Sequence, residues 1–375
     1  MLKVGSLFSG YGGLDLATQP IWPTSELVWV SDPAPGPKKV LEYRFPGVIN
    51  LGDITKIDIE SIPKVDILTG GSPCQDLSHA GKRLGMTSGT RSNLWVLMRE
   101  VIAYVKPQIV VWENVLGSLS AQADSSMEHC ERCMGDTEEG TTTKHLRALG
   151  RVLGDLAELR YNAAWTSLPA SDVGACHRRK RVFVVATHPS GEGWGQGDAW
   201  GLEEKYDPTP RNPRDTSTKL NSLQLLPTPA ASNQNDSEPL NKWPERREQV
   251  KNTRVNGNGM GPPLSIAIRG EYPYNNPNSN IYGKYSQAIA RHEEIFGRLS
   301  PHPLDFLTTA SVEGRLSPPF VEWMMGLPEG WITDIPGITR SNQIKLLGNG
   351  VIPRQAEEGI RRCITALKDM SLSTN

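Results

Sequence analysis

The chain has 375 residues, 37% of them hydrophobic and 22% charged, which suits a globular protein large enough for one big domain or two ordinary ones. Forty basic against 41 acidic residues exclude a general basic field, so any nucleic-acid surface must be a local patch. No apolar run approaches ~18 residues and the start MLKVGSLFSG lacks the regions of a signal peptide, so a cytoplasmic protein without a membrane partner is expected.

In chain order, KVGSLF, ELVWVS, VDILTG, QIVVWENV and RVFVVAT read as buried parallel strands. Between them, 91–106 and 144–160 carry apolar residues at helical spacing, as in Leu146, Leu149, Leu153, Leu156 and Leu159. Strands alternating with helices predict an α/β fold with a doubly wound, mostly parallel sheet, whose ligands sit beyond the carboxyl ends of the strands. From about 190 the texture changes: residues 206–280 hold 11 of the 29 prolines and 12 asparagines, with little periodicity. Order returns at RLSPPFVEWMMGLPEGW and in a final helix near 353–369. The expected organisation is a large domain over 1–190, an irregular smaller one over 191–313, and a segment over 314–375 that returns to the first.

The unusual residues fall at predicted strand ends. In LFSGYGGLD (7–15), Gly10, Gly12 and Gly13 allow a tight turn and close approach of the backbone to a ligand, although any strand-to-helix turn uses such glycines. Asp32, ending WVSDP, is placed to accept hydrogen bonds from ribose hydroxyls. Asp53 in LGDIT is placed to bind an adenine amine; the alternative for each acid is a helix N-cap. Two acids and a glycine turn at successive strand ends describe a nucleoside pocket.

The next strand leads into GGSPCQDLSHAGKRLG (70–85). A free thiol at pH 7.5 is only ~10% thiolate, so a nucleophilic Cys74 needs a local device favouring the anion. A buried, inert cysteine is the commoner role, but it gives no purpose to the Gly-Gly-Ser-Pro lead or the Gly-Lys-Arg sequel. In VWENV (111–115), a buried carboxyl on Glu113 tends to keep its proton and can donate a hydrogen bond. CHRRKRVFVVA places Arg179 and Arg181 at i, i+2, on one side of a strand, where they can orient a carboxylate and bind a base carbonyl, or simply form a solvated turn. The five cysteines include one C-x-x-C, Cys130 and Cys133; with no second pair to complete four ligands, no metal is expected.

Taken together and in order, these motifs resemble those of the DNA (cytosine-5-)-methyltransferase family. LFSGYGGLD is similar to its first motif, GGSPCQDLSHAGKRLG to its catalytic motif and ENV to its glutamate motif. HRRKR is similar to its Gln-x-Arg-x-Arg motif, and RLSPPFVEWMMGLP and LLGNGVIPRQA (346–356) to its last two. The resemblance implies a Rossmann-like, class I S-adenosylmethionine-dependent methyltransferase fold with a smaller target-recognition domain. It implies S-adenosyl-L-methionine as methyl donor and duplex DNA as substrate, with the target cytosine flipped out of the helix.

By the same resemblance, Cys74 adds to carbon 6 of cytosine and Glu113 contacts ring nitrogen 3 and the exocyclic amine. Arg181, with Arg179, holds the base carbonyl and Glu113. Ser78, Lys82 and Arg83 lie on a loop closing over DNA, with Gln75 near the gap left by the flipped base. The cofactor pattern carries over to Phe8, Gly10, Gly12, Gly13 and Leu14, then Asp32, Asp53, Ile54, Pro73, Leu94, Asn349 and Val351. Three positions depart from the pattern: His177 replaces a glutamine, Pro33 a bulkier apolar residue, and Gly350 a frequent serine. The 120–144 insert with its C-x-x-C is not part of it.

Residues 242–254 carry five basic and two acidic side chains, a patch suited either to phosphates or to a solvated helix. A monomer is expected, with a cognate restriction endonuclease, if one exists, as a separate protein. An RNA-modifying relative would have a shorter insert than the ~120 residues here, and a non-catalytic DNA-binding protein would not need Cys74, Glu113 and both arginines.

Overall fold

The computed structural model describes residues 1–72, 94–119, 122–123, 146–189, 223–231, 238–253, 262–273, 280–306 and 314–373. Its main sheet has seven strands: β1 (Lys3–Leu7), β2 (Glu26–Ser31), β3 (Ile49–Asn50), β4 (Ile67–Gly70), β5 (Ile109–Val115), β8 (Asn162–Leu168) and β9 (Arg181–Thr187). Two short strands, β6 (Gln122–Ala123) and β7 (Leu146–Arg147), pair with each other away from it. The sheet order is β3-β2-β1-β4-β5-β9-β8.

The β-branched runs are strands because both faces of the sheet are covered, so successive residues enter two apolar layers. In β5, Ile109 and Val111 belong to one layer, and Val110 and Trp112 to the other. The first layer is closed by α1 (Gly13–Thr18) and by the C-terminal helix through Ala356, Ile360 and Ile364. The second is closed by α3 (Leu94–Val105) and α4 (Ala148–Glu158). Between them in sequence, α2 (Pro35–Arg44) follows β2.

Two sequence expectations need correction here. RVFVVAT is a buried strand, but it runs antiparallel to both neighbours, β5 and β8. An apolar run looks alike in either direction; the connection decides, and 169–180 is a short turn rather than a helical crossover. The segment 144–160 is also not one helix: Leu146 lies in β7, and Arg160, at φ 66°, follows the end of α4 in the left-handed region.

The remaining helices are α5 (Trp243–Thr253), α6 (Leu264–Glu271), α7 (Ser286–Phe296), α8 (Pro318–Met324), α9 (Arg340–Asn349) and α10 (Pro353–Ser373). A hairpin of β10 (Leu304–Asp305) and β11 (Arg315–Leu316) lies among them. Their shared core of Leu264, Ile268, Ile289, Phe320, Trp323 and Leu347 takes in Tyr11 and Val40, so it is built directly against the first half of the chain. On α5, by contrast, every side chain from Pro244 to Gln249 is exposed. Among the described residues no helix is long and apolar enough to cross a membrane.

Two buried histidines fasten α8 to this core. His292 accepts the Cys176 amide N–H at Nδ1 (3.2 Å), so its proton sits on Nε2 and is donated to the Trp323 carbonyl (3.0 Å). His177 donates from Nε2 to the Met324 carbonyl at 3.1 Å, the role it takes in place of the expected glutamine. Burial holds both imidazoles neutral, with pKa values pushed down to about 3. The unfolded chain binds protons at these residues near pH 6.5, the native chain only near pH 3. Stability is therefore fully present above about pH 6.5 and is lost as the pH falls towards 3, by up to about 1.4 kcal/mol per pH unit for each histidine. Thermal midpoints should drop steeply between pH 6.5 and 4, and less steeply in His292→Gln; identical pH curves for the two proteins would refute this linkage.

Candidate active site

The chain changes direction across the sheet between β1 and β4: β2 and β3 lie to one side, β5 to the other. Such a switch point leaves a crevice beyond the strand ends, where the connecting loops diverge. The loop after β1 is the glycine turn. Phe8, Gly10 and Gly12 all take positive φ (55°, 58° and 83°), a conformation glycine adopts freely and phenylalanine rarely. A Cβ on Gly13 would lie 2.4 Å from the Val351 carbonyl oxygen, so the returning segment closes onto this turn only because residue 13 is glycine. At Gly10 a Cβ would meet no atom within 4 Å; that side of the turn faces open space.

Asp32 follows the neighbouring strand directly and locks this turn. Its Oδ2 accepts the Gly10 amide N–H and its Oδ1 that of Ala34, both at 3.0 Å. Burial raises its pKa, with the two amide bonds opposing. Beneath the turn, Asp15 accepts from Ser6 Oγ (3.1 Å) and Thr69 Oγ1, and burial pushes its carboxyl up to about 6. The crevice is a cavity of about 390 Å³, within the range of small-molecule sites. Its walls include Phe8, Gly10, Gly13, Leu14 and Asp32 from the first two loops, and Asn349 and Val351 from the returning segment.

Glu113 and Arg181 face the same cavity from the ends of β5 and β9. The strands pair antiparallel, so the end of one lies beside the start of the other, and Arg181 Nε stands 3.1 Å from Glu113 Oε1. Burial raises the Glu113 pKa more than Arg181 and Arg179 lower it. The second carboxyl oxygen lies against Gly71, where a Cβ would come within 3.1 Å of it. Ser72 is tied to the same strand: Trp112 Nε1 donates to its Oγ (3.0 Å), and Asn114 Nδ2 donates to its carbonyl (3.2 Å) and Oγ (3.3 Å). The chain is thus anchored to the Glu113 strand two residues before Cys74.

Other expected site residues stand elsewhere. Asp53 is the N-cap of a short turn at Ile54–Lys56, where its carboxylate accepts from the Thr55 amide (3.1 Å) and hydroxyl (2.8 Å), bonds that lower its pKa. Ile54 and Leu94 pack into the α3 side of the core, and Gly12 is backed by the Phe45 ring; none of these four lines the cavity. Arg179 is not on a strand with Arg181. At φ 27° it precedes β9, and its guanidinium turns away to the carbonyls of Pro229, Gly348 and Gly350. Pro73, Cys74, Gln75, Ser78, Lys82, Arg83 and the Cys130–Cys133 pair lie outside the described residues.

The comparisons with known proteins bear on this arrangement. The profile described as C-5 cytosine-specific DNA methylase matches residues 2–365. The chain belongs to the C-5 cytosine-specific DNA methylase family. The Type II methyltransferase M.NgoBV of Neisseria gonorrhoeae is 32% identical over 190 residues, 50% of this chain and 41% of that protein. The matched stretch is thus well under half of that relative. In structure, the chain is similar to the S. pombe Dnmt2 methyltransferase (TM-score 0.53, 16% identity, 98% of this chain and 99% of that one). It is also similar to a putative DNA modification methyltransferase from an E. coli prophage (TM-score 0.51, 16% identity, 97% and 100%). At these identities the structural likeness speaks for the fold: a class I methyltransferase sheet.

C-5 cytosine DNA methylases use S-adenosylmethionine as methyl donor. The cavity fits that group: Gly10 and Gly13 leave a backbone cradle that side chains would alter or fill, and half-buried Asp32 offers a carboxylate at its edge. The sequence did not point to Tyr11, Asn114, Asn342 or Lys345, which also line it. Asn114 was available in the Glu-Asn-Val motif; the other three have no sequence signal beyond their neighbours.

Proposed function

We propose that the protein methylates carbon 5 of cytosine in a specific duplex DNA sequence, using S-adenosylmethionine and a covalent Cys74 adduct. The observation carrying this reading is the convergence of two sites on one cavity: the Gly10–Gly13 turn with Asp32, and buried Glu113 paired with Arg181. Carbon 5 of cytosine is a poor nucleophile. Addition of the Cys74 thiolate forms a bond from sulfur to carbon 6 and pushes the ring electrons towards carbon 5 and nitrogen 3. Glu113 shares its proton with nitrogen 3 as that charge develops, and Arg181 fixes the carboxyl and holds the base carbonyl. The electrophilic methyl group that carbon 5 takes would come from S-adenosylmethionine, its sulfur–methyl bond breaking to leave S-adenosylhomocysteine. A base then takes the carbon-5 proton, the electron pair restores the double bond between carbons 5 and 6, and Cys74 leaves as thiolate.

Phe8, Leu14, Asp32, Asn349 and Val351 would hold the donor, with Asp32 accepting from ribose hydroxyls. The base must leave the duplex to reach Glu113; Gln75, Ser78, Lys82 and Arg83 are assigned to the DNA side of that event. Target choice is assigned to 191–313, within which exposed Arg246 and Arg247 on α5 are suited to phosphates. A role as the modification half of a restriction system, with the endonuclease as a separate protein, accords with the Type II relatives.

The test is incubation with radiolabelled S-adenosylmethionine and mixed-sequence duplex DNA, followed by sequencing for 5-methylcytosine. Label on cytosines of one short context is expected. Label in RNA alone, or in neither nucleic acid, would overturn the reading.

A further inference from the structure

The segment that closes the cavity, 348–351, returns from the far end of the chain, and its single apolar side chain, Val351, packs against the α1 side of the core. What holds it is a set of buried donors from the first half. The Tyr11 hydroxyl donates to the Val351 carbonyl at 2.7 Å, across 340 positions of sequence. Arg179 donates from both terminal nitrogens to the Gly348 carbonyl at 3.1 Å, and from one of them to that of Gly350. Gln355, just past the segment, donates back to the Arg179 carbonyl at 2.7 Å. Tyr11 is 1% exposed and Arg179 3%, so water does not compete for these bonds.

Shape reinforces the grip. A Cβ on Gly350 would lie 1.7 Å from the Tyr11 ring, and one on Gly13 would lie 2.9 Å from it. Gly350 has φ −77° and ψ 179°, which any residue can adopt. It is glycine because the Tyr11 ring fills the place of its side chain. The departure from serine at 350 and the bulky aromatic inside a glycine turn are thus one feature. Burial raises the Tyr11 pKa above the ordinary tyrosine value, so its hydroxyl keeps its proton and remains a donor.

We propose that Tyr11 and Arg179 are positioning residues that hold the 348–351 backbone in place as the closing wall of the donor pocket, Arg179 acting there rather than on the base. This rests on the reading of the cavity as the S-adenosylmethionine site. Neither residue is proposed to take part in the reaction itself. Arg179 reaches the ligand through Asn349 and Val351, which line the cavity between and beside the gripped carbonyls, whereas Tyr11 also lines it directly.

The test is calorimetric binding of S-adenosylhomocysteine to the full chain without DNA, with thermal midpoints measured with and without that ligand. Tyr11→Phe keeps the ring and deletes one hydrogen bond. It is expected to raise Kd about three- to tenfold and to shrink the ligand-induced rise in midpoint. Gly350→Ala, which drives the wall off the ring, should weaken binding further. A merely structural role would lower the ligand-free midpoint while leaving Kd and the ligand-induced rise as in the wild type; that result in Tyr11→Phe would overturn the proposal. Wild-type protein that binds no S-adenosylhomocysteine would instead overturn the assignment of the cavity, and the wall with it.

Discussion

Cys74→Ser is expected to abolish methyl transfer, lowering turnover by at least about a thousandfold, while S-adenosylhomocysteine and DNA still bind. The substitution changes one atom and little volume, but the hydroxyl is several pK units less acidic than a thiol. Serine at that position has almost no anion to add to carbon 6, and without that addition carbon 5 does not become a nucleophile. Glu113 is a weak nucleophile and is engaged with Arg181, so it is not expected to substitute. The described chain reaches Ser72, and its ties to Trp112 and Asn114 fix the backbone two residues before Cys74. DNA binding and ligand affinity should therefore change by less than about threefold. Single-turnover assays with labelled donor, alongside binding of both ligands, would check this. Turnover within tenfold of wild type would end the covalent mechanism.

The parts of this site that were legible in the sequence are those written in a short stretch. The glycine turn, Asp32 and Glu-Asn-Val each follow a β-branched run, and a run buried on both faces is recognisable without knowing its partners. Glu113 could be placed because its strand is apolar right up to it. The direction of RVFVVAT could not, since direction belongs to a connection rather than to a strand. Asp53 shows the limit of residue type as a guide. A carboxylate at a loop is equally suited to an adenine amine and to an N-cap, and Thr55 supplies the closer partner.

Arg179 departs from its expected position for a different reason. Alternation along a strand pairs it with Arg181 only if the strand has already begun, and the backbone at φ 27° turns it away. Its partners at 348 and 350, like the Val351 partner of Tyr11, lie at the other end of the chain. Such contacts leave a trace in sequence only as oddities, here a tyrosine among glycines and a glycine in place of serine.

Glu113→Gln should lower kcat by about a hundredfold or more while KM for DNA stays within about threefold. The amide has the shape of a protonated carboxyl and can still donate to nitrogen 3 and accept from the exocyclic amine, so the base remains held. What it cannot do is surrender a proton as negative charge arrives on the ring, and that interaction exists only on the way to the adduct. The pH profile separates this from a structural defect. Cys74 must be ionised, which favours high pH, whereas Glu113 must carry its proton, which favours low pH. Because burial raises the Glu113 pKa, its protonated form persists above the ordinary carboxylate range, and wild-type kcat is expected to fall as the pH rises through that value. The variant has no such group to lose, so the alkaline fall should vanish while the acid limb from Cys74 remains. An unchanged kcat, or an alkaline fall that survives in Glu113→Gln, would move the proton donor to another residue. If kcat falls and the alkaline limb disappears together, Glu113 is the proton donor, its Oε1 held by Arg181.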